Sequence, residues 1–338
     1  MPVSSPEPAG YAVLGCGLMG GRHAEVISCL EGAELRCAYD SDPARRDEVC
    51  RRFGCRPAAS AEDAVADPGV RAVLVAAPSF LHAPMALMAA RAGKHVLLEK
   101  PLANDTASGR EVIGRCREAG VALSVVSQKR FDPGAMQLKA ALDAGLLGRV
   151  FLAEVSINYY RDENYFLQAP WRASRAESGG GVLMNQGIHY IDLLMWCLGP
   201  VAEVRGAIGT VREGYQEEDV AAALLELECG ALATLTASTV AYPGFPETLT
   251  LYGSEGTCTI AEGKGVVRWE HKGKAPLPAP PAEPPPPEEL PPKLHSMYRN
   301  HRDFLGAFRV GRPPAVRPEE ALAVVALIEK LYVDARPG

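Results

Sequence analysis

The sequence predicts an α/β protein in two parts: an N-terminal doubly wound parallel sheet of the Rossmann type, then an α+β domain with a large, open-faced, mostly antiparallel sheet. Three observations carry this. Short apolar runs alternate with helical patterns as far as residue 145. The first of those runs leads into Gly15-Cys16-Gly17-Leu18-Met19-Gly20. From residue 149 the pattern changes to strand-like segments, often alternating, separated by glycine turns such as Glu228-Cys229-Gly230. The domain boundaries expected are 1–128 for the dinucleotide domain and 129–317 for a substrate-binding and oligomerisation domain, with a proline-rich loop over 275–292. A helix over 318–338 then packs back on the body.

In chain order, a strand over 11–14 enters the glycine turn, and a helical pattern follows to residue 30. The first glycine permits a tight turn, the second lets a pyrophosphate approach the backbone, and the third lets helix pack on strand. Gly15, Gly17, Leu18, Met19 and Gly20 are therefore candidate cofactor residues. A second strand over 33–39 ends at Asp40, about 20 residues beyond the last glycine, where a ribose-binding acid is expected. An anion there favours NAD over NADP; Ser41, Arg45 and Arg46 keep NADP open, and Asp40 could equally cap the helix that follows. A helix over 42–53 and a short segment near 62–65 lead to a buried strand from residue 70. Ala77, Pro78 and Ser79 at its end would pass the cofactor. His82 would touch it or start the next helix.

The run 95–98 ends abruptly in Glu99-Lys100-Pro101. Ligands bind at the carboxyl ends of such strands, so Lys100 stands at the mouth of a crevice, although a solvated lysine closing a strand is the plainer alternative. Pro101 restricts Lys100 to extended geometry and makes a cis bond possible. A helix over 106–118 precedes a strand over 122–126 that ends in Ser127-Gln128-Lys129-Arg130, and Asp132-Pro133 caps a helix stopping at Gly145. Glu99, Lys100 and Gln128 complete the cofactor candidates of this half.

In the second half, strand-like runs cover 151–159, 201–208, 220–228, 231–241, 248–252, 257–260 and 266–270. Among them a long helix over 182–198 is announced by Gly179-Gly180-Gly181 and stopped by Gly199-Pro200. Asn185, His189 and Asp192 lie four and three apart, on one helical face. A histidine among apolar neighbours is often structural, but glycines of this kind let a backbone come close to something. Residues 275–292 are dense in proline and read as an extended loop. Two amphipathic helices, over 294–310 and 318–335, finish the chain, the last apolar at Leu322, Val325, Ile328 and Leu331.

A formal charge of −6 over 338 residues, with no long basic tract, argues against a nucleic-acid partner. No apolar run reaches membrane-spanning length, and residues 1–10 have neither the basic patch nor the apolar core of a signal peptide. Nine cysteines are scattered without a C-x-x-C pair, which supports neither a metal site nor a disulfide framework and fits a reduced, cytoplasmic protein.

Taken together, these residues resemble the glucose-fructose oxidoreductase / inositol dehydrogenase / rhizopine-catabolism (Gfo/Idh/MocA) family of nicotinamide-dependent oxidoreductases, from about Tyr11 to the C-terminus. The resemblance rests on the glycine turn, Glu99-Lys100-Pro101, Trp171-Arg172, and Gly179-Gly180-Gly181 through Asn185, Gly187, His189 and Asp192. Glu218-Asp219 and the run 241–246 share the family's look. The resemblance implies homodimers or tetramers formed through the open sheets. It implies that Lys100 touches both nicotinamide and substrate, and that residues 185 and 189 face the reacting hydroxyl. Trp171 and Arg172 would lie near the cofactor, and Lys129 and Arg130 would line a sugar pocket. Inositol dehydrogenases carry aspartate where Asn185 stands, which weakens the inositol assignment without excluding activity.

The expected chemistry is hydride transfer between NAD(P) and a secondary alcohol of a cyclic polyol or sugar. His189 is the expected base, Lys100 the expected stabiliser of the developing oxyanion, and Asn185 the expected orienting group. Two other readings of the same residues are a redox-assisted glycosidase and a non-catalytic NAD-binding regulator.

Overall fold

The computed structural model describes residues 7–334, 336 and 337, so the expectations for residues 1–6, 335 and 338 fall outside it. The chain forms two compact units. The first comprises Met1–Ala103, Ala107–Gln128 and Pro285–Ala321; the second comprises Asn104–Thr106, Lys129–Pro284 and Leu322–Gly338.

The first unit contains six parallel strands: β1 (Ala9–Leu14), β2 (Ala33–Tyr39), β3 (Arg56–Pro57), β4 (Val70–Val75), β5 (His95–Leu98) and β6 (Leu123–Val125). Their order is β3-β2-β1-β4-β5-β6, so the winding reverses between β1 and β4. Every residue of β1 is buried, which is why it reads as an unbroken apolar run rather than an alternating one. One face of the sheet is covered partly by the helix His295–Val310, whose Phe304, Leu305 and Phe308 share a core with Tyr11, Ile27 and Leu97. The sequence reading assigns that helix to the second domain. Its apolar face belongs instead to the first unit, because the proline-rich run ends by handing the chain to it.

The second unit holds β7 (Val150–Asn158), β8 (Val201–Gly209), β9 (Val220–Leu227), β10 (Leu232–Ser238), β11 (Thr248–Gly253), β12 (Gly256–Ala261), β13 (Gly265–His271) and β14 (Arg336–Pro337). They are ordered β13-β12-β11-β7-β10-β9-β8-β14 and are mostly antiparallel, with β7 to β10 and β8 to β14 running parallel. Strict alternation in β10 buries Ala233, Leu235 and Ala237 and leaves Leu232, Thr234 and Thr236 exposed. The buried face packs against the helix Ile188–Leu198 and against Val324, Val325, Ile328 and Leu331 of the helix Pro318–Asp334.

Where the sequence predicts one helix over 182–198, the chain makes a π turn, Leu183–Gly187, before the α-helix Ile188–Leu198. Asp192 stays three residues beyond His189 on that α-helix, but its carboxylate is taken up elsewhere. It is buried in a two-pronged pair with Arg130, whose Nη2 and Nε donate to its carboxylate at 2.6 and 2.8 Å, and Arg130 also lies 5.7 Å from the ring of Trp196. A pair this buried is costly to break from one side. Asp192→Ala should therefore lower stability by about 3–5 kcal/mol in a urea titration, because it leaves a buried guanidinium uncompensated.

Candidate active site

The functional peptides of the first unit leave adjacent strands at the same end. Leu14 O accepts Ala76 N–H at 2.8 Å, Val75 O accepts Glu99 N–H at 2.9 Å, and Leu98 O accepts Val126 N–H at 2.8 Å. This brings the glycine turn after β1, Ala77 to Ser79 after β4 and Glu99-Lys100 after β5 to one edge, at the reversal point of the sheet.

The surroundings require glycine at two positions of the turn and leave open space at the third. Gly15 has φ +97°, and a Cβ there would stand 2.6 Å from Ala76 C and O. A Cβ on Gly20 would stand 1.8 Å from Gly15 O, so only glycine lets the helix Leu18–Ser28 pack this close. At Gly17 a Cβ would meet nothing within 4 Å, and no side chain caps the helix that starts there. The result is an open helix N-terminus with amides available to an anion and no acid in its first turn. Leu18 is 72% exposed beside it. Asp40 holds the turn in shape: its Oδ2 accepts Cys16 N–H at 2.6 Å and its Oδ1 accepts Asp42 N–H at 2.8 Å. The helix cap weighed for Asp40 is supplied by Asp42, which accepts Ala44 N–H. Arg45 pairs with Asp42 at 3.3 Å, and Ser41 is exposed. Gln128 Oε1 is buried with no partner among the described residues, an acceptor waiting for a donor. The set fits a dinucleotide: amides for its phosphates, a carboxylate near the end of β2, and small residues opposite.

His82 does not project from the edge. It is buried, with Nδ1 2.7 Å from Pro101 O and Nε2 3.0 Å from Ala77 O, so it ties together the chains leaving β4 and β5. Burial lowers its pKa, opposed by the bond to Pro101. Glu99 is buried too; one oxygen meets His23 Nε2 at 2.9 Å and the other accepts Lys100 N–H at 3.0 Å. Lys100 is half-buried, and its bond to Pro101 is cis.

In the second unit, the three glycines admit neighbours from the protein itself. A Cβ on Gly180 would stand 2.0 Å from Tyr332 Oη, and one on Gly181 would stand 1.9 Å from Glu218 O. Glu218, buried, accepts Gly181 N–H at 2.8 Å, Leu183 N–H at 3.0 Å and Tyr332 O–H at 2.9 Å, and so caps the π turn. Burial raises its pKa against those three bonds. Asn185 donates to Gly180 O at 2.7 Å and to Gly181 O at 3.2 Å, which fixes its amide over the glycine run. His189, half-buried, lies in the first turn of the α-helix.

Lys129 is paired with Glu262 and with Asp132, and Arg130 is taken up by Asp192, so both are held inside the second unit. Arg172 donates to Tyr165 O at 3.0 Å and lies 4.3 Å from the Tyr165 ring and 5.5 Å from the Trp171 ring. Tyr165, Arg172, Asn185, Gln186, Arg212 and Glu217 line one small, partly open cleft. Sequence reasoning passed over Glu217 and gave Glu218 no role; a run of three acids, 217–219, before an alternating strand was the available signal.

Both carboxylate oxygens of Glu217 are buried without a partner among the described residues. Burial, then the neighbouring Glu218, pushes its pKa up to about 7. The folded form therefore binds a proton more tightly than the unfolded one, and stability falls as pH rises from about 4.5 to about 7. Thermal melts should show Glu217→Gln equal to wild type near pH 4 and above it at pH 8.

Two family models match the chain: one described as an oxidoreductase family with an NAD-binding Rossmann fold, over residues 9–127, and one described as the GFO/IDH/MocA C-terminal domain, over residues 135–259. Among characterised proteins, scyllo-inositol 2-dehydrogenase (NAD(+)) of Bacillus subtilis is 29% identical over 269 residues, which is 77% of this chain and 75% of that one. The WlbA dehydrogenase of Bordetella pertussis, solved with NADH and UDP-GlcNAcA, superposes with a TM-score of 0.86 at 29% identity, covering 98% of this chain and 97% of that one. GenD2 from gentamicin A biosynthesis, solved with NAD, gives a TM-score of 0.83 at 30% identity over 98% and 95%.

Proposed function

The chain belongs to the GFO/IDH/MocA family of oxidoreductases, and from that premise we propose that it interconverts a secondary alcohol and a ketone on a sugar or cyclic polyol, with NAD as the redox partner. The observation that carries the reading is the glycine turn: its open helix end, the buried glycine contacts and Asp40 form a dinucleotide cradle on the same strand edge as Lys100.

When bound, NAD supplies the hydride acceptor. The remaining work falls to side chains. Lys100 places an ammonium at the carboxyl end of β5, where it stabilises the oxygen that gains charge as the C–H bond is lost. His189 takes the hydroxyl proton. Asn185, fixed over the glycine run by its two bonds, orients the hydroxyl. Arg172, stacked on Tyr165, borders the cleft that Asn185 shares. Initial rates of NADH formation should be measured on a panel of cyclic polyols, aldoses and UDP-linked sugars. Lys100→Met and His189→Ala should each lose about 10²–10⁴ in kcat on the best substrate; wild-type turnover by either would refute its assigned role.

We further propose that the open face of the eight-stranded sheet is where copies of the chain meet. Leu224 and Leu232 are each 44% exposed there and flank Thr234, which lies opposite Leu224 in the ladder. Static light scattering should give a multiple of 36.0 kDa, and Leu232→Arg should shift it toward the monomer.

A further inference from the structure

Three buried groups that the reading above does not use run in a line to the peptide of Lys100. His23, on the helix that begins at the glycine turn, is fully buried, with Nε2 2.9 Å from Glu99 Oε1 and Nδ1 2.7 Å from His301 Nε2. His301, on His295–Val310, is fully buried as well, its ring centroid 5.0 Å from that of His23 and tilted by 45°. Glu99 closes the line through Oε2, which accepts Lys100 N–H at 3.0 Å. All four belong to the first unit.

We propose that His23 and His301 are positioning residues for Lys100, acting through Glu99, an inference that rests on the role assigned to Lys100 above. The direction of the bonds follows from the far end. Burial, reinforced by His23, lowers the His301 pKa well below the usual imidazole range, so that ring is neutral and carries one proton. Its Nδ1 has no partner among the described residues. A buried N–H without an acceptor costs more than a bare lone pair, so the proton sits on Nε2 and is donated to His23 Nδ1. His23 then has its own proton on Nε2, aimed at Glu99. Two donors, an imidazole N–H and the Lys100 amide, thus converge on one buried carboxylate, and the line has a single polarity from end to end.

The geometry gives this a purpose. Lys100 lies two residues beyond the end of β5, past the last ladder bond from Glu99 N–H to Val75 O, and Pro101 contributes no N–H. Glu99 grips the amide on one side of Lys100, and His82 grips the Pro101 carbonyl on the other. Without its two histidines Glu99 would lose the donor that fixes Oε1, and the grip of Oε2 on the Lys100 amide would loosen. Hydride-transfer geometry tolerates little of that, since a misplacement near 1 Å costs about 10²-fold in rate.

The test measures kcat on the best substrate of the panel and, separately, NAD affinity by quenching of intrinsic fluorescence. His23→Leu and His301→Leu should each lower kcat by about 10²-fold with NAD affinity unchanged. Glu99→Gln should lose as much, and the Glu99→Gln, His301→Leu double variant should be no slower than Glu99→Gln alone. His23→Gln, which keeps a side-chain N–H, should recover most of the rate. Should His23→Leu fail to fold, the His301→Leu arm and its double variant decide alone. Losses that multiply, NAD affinity falling in step with kcat, or wild-type kcat in the histidine variants would overturn the proposal. Lys100→Met separates the two readings: if it is inactive while the histidine variants are not, the positioning line falls and the role of Lys100 stands; if it turns over normally, both fall.

Discussion

The close approach between Gly20 and Gly15 O sets the geometry of the first unit. Because a single added carbon would stand 1.8 Å from that carbonyl, the helix Leu18–Ser28 can lie tight against β1 only with glycine at this position. That packing has two effects at once. It points the open amides of the helix toward the strand edge, and it brings His23, one turn further on, within reach of Glu99. The open helix end and the contact between His23 and Glu99 are therefore products of one helix docking.

In the second unit the equivalent constraint is the capping of the π turn. Glu218 accepts two backbone amides and a tyrosine hydroxyl in a buried setting, and the glycines exist so that Tyr332 and Glu218 can come this near. The π turn then offsets Asn185 from the helix that bears His189 and Asp192. Asp192 turns to Arg130 and serves the core, while Asn185 stays with the glycine run and the cleft. The wider turn thus separates Asn185 from the α-helix that carries both His189 and Asp192.

Much of this was legible in the sequence where the signal was local. The glycine turn, the acid after β2, the Glu99-Lys100-Pro101 run and the alternation of β10 each fit within a short window, and each maps to a strand or turn close to the expected place. What stayed hidden was long in sequence and short in space. His23 and His301 are 278 positions apart, Glu218 and Gly181 are 37 apart, and Arg130 and Asp192 are 62 apart. No periodicity announces such pairs. A lone histidine after the glycine turn and an acid run before β9 look like ordinary surface composition until the fold buries them. His82 was weighed as a cofactor contact for the same reason: nothing in its neighbours reveals that both ring nitrogens meet carbonyls.

The return of residues 285–321 to the first unit, and of 322 onward to the second, bears on how the molecule is made. As synthesis proceeds from the N-terminus, the parallel sheet leaves the ribosome without Phe304 to cover it and without His301 to complete its buried line. The antiparallel sheet likewise waits for Ile328, Leu331 and Tyr332. Both cores close only once residues 285–332 have been made, so a chain stopped before residue 285 would leave two half-built globules rather than one finished and one missing.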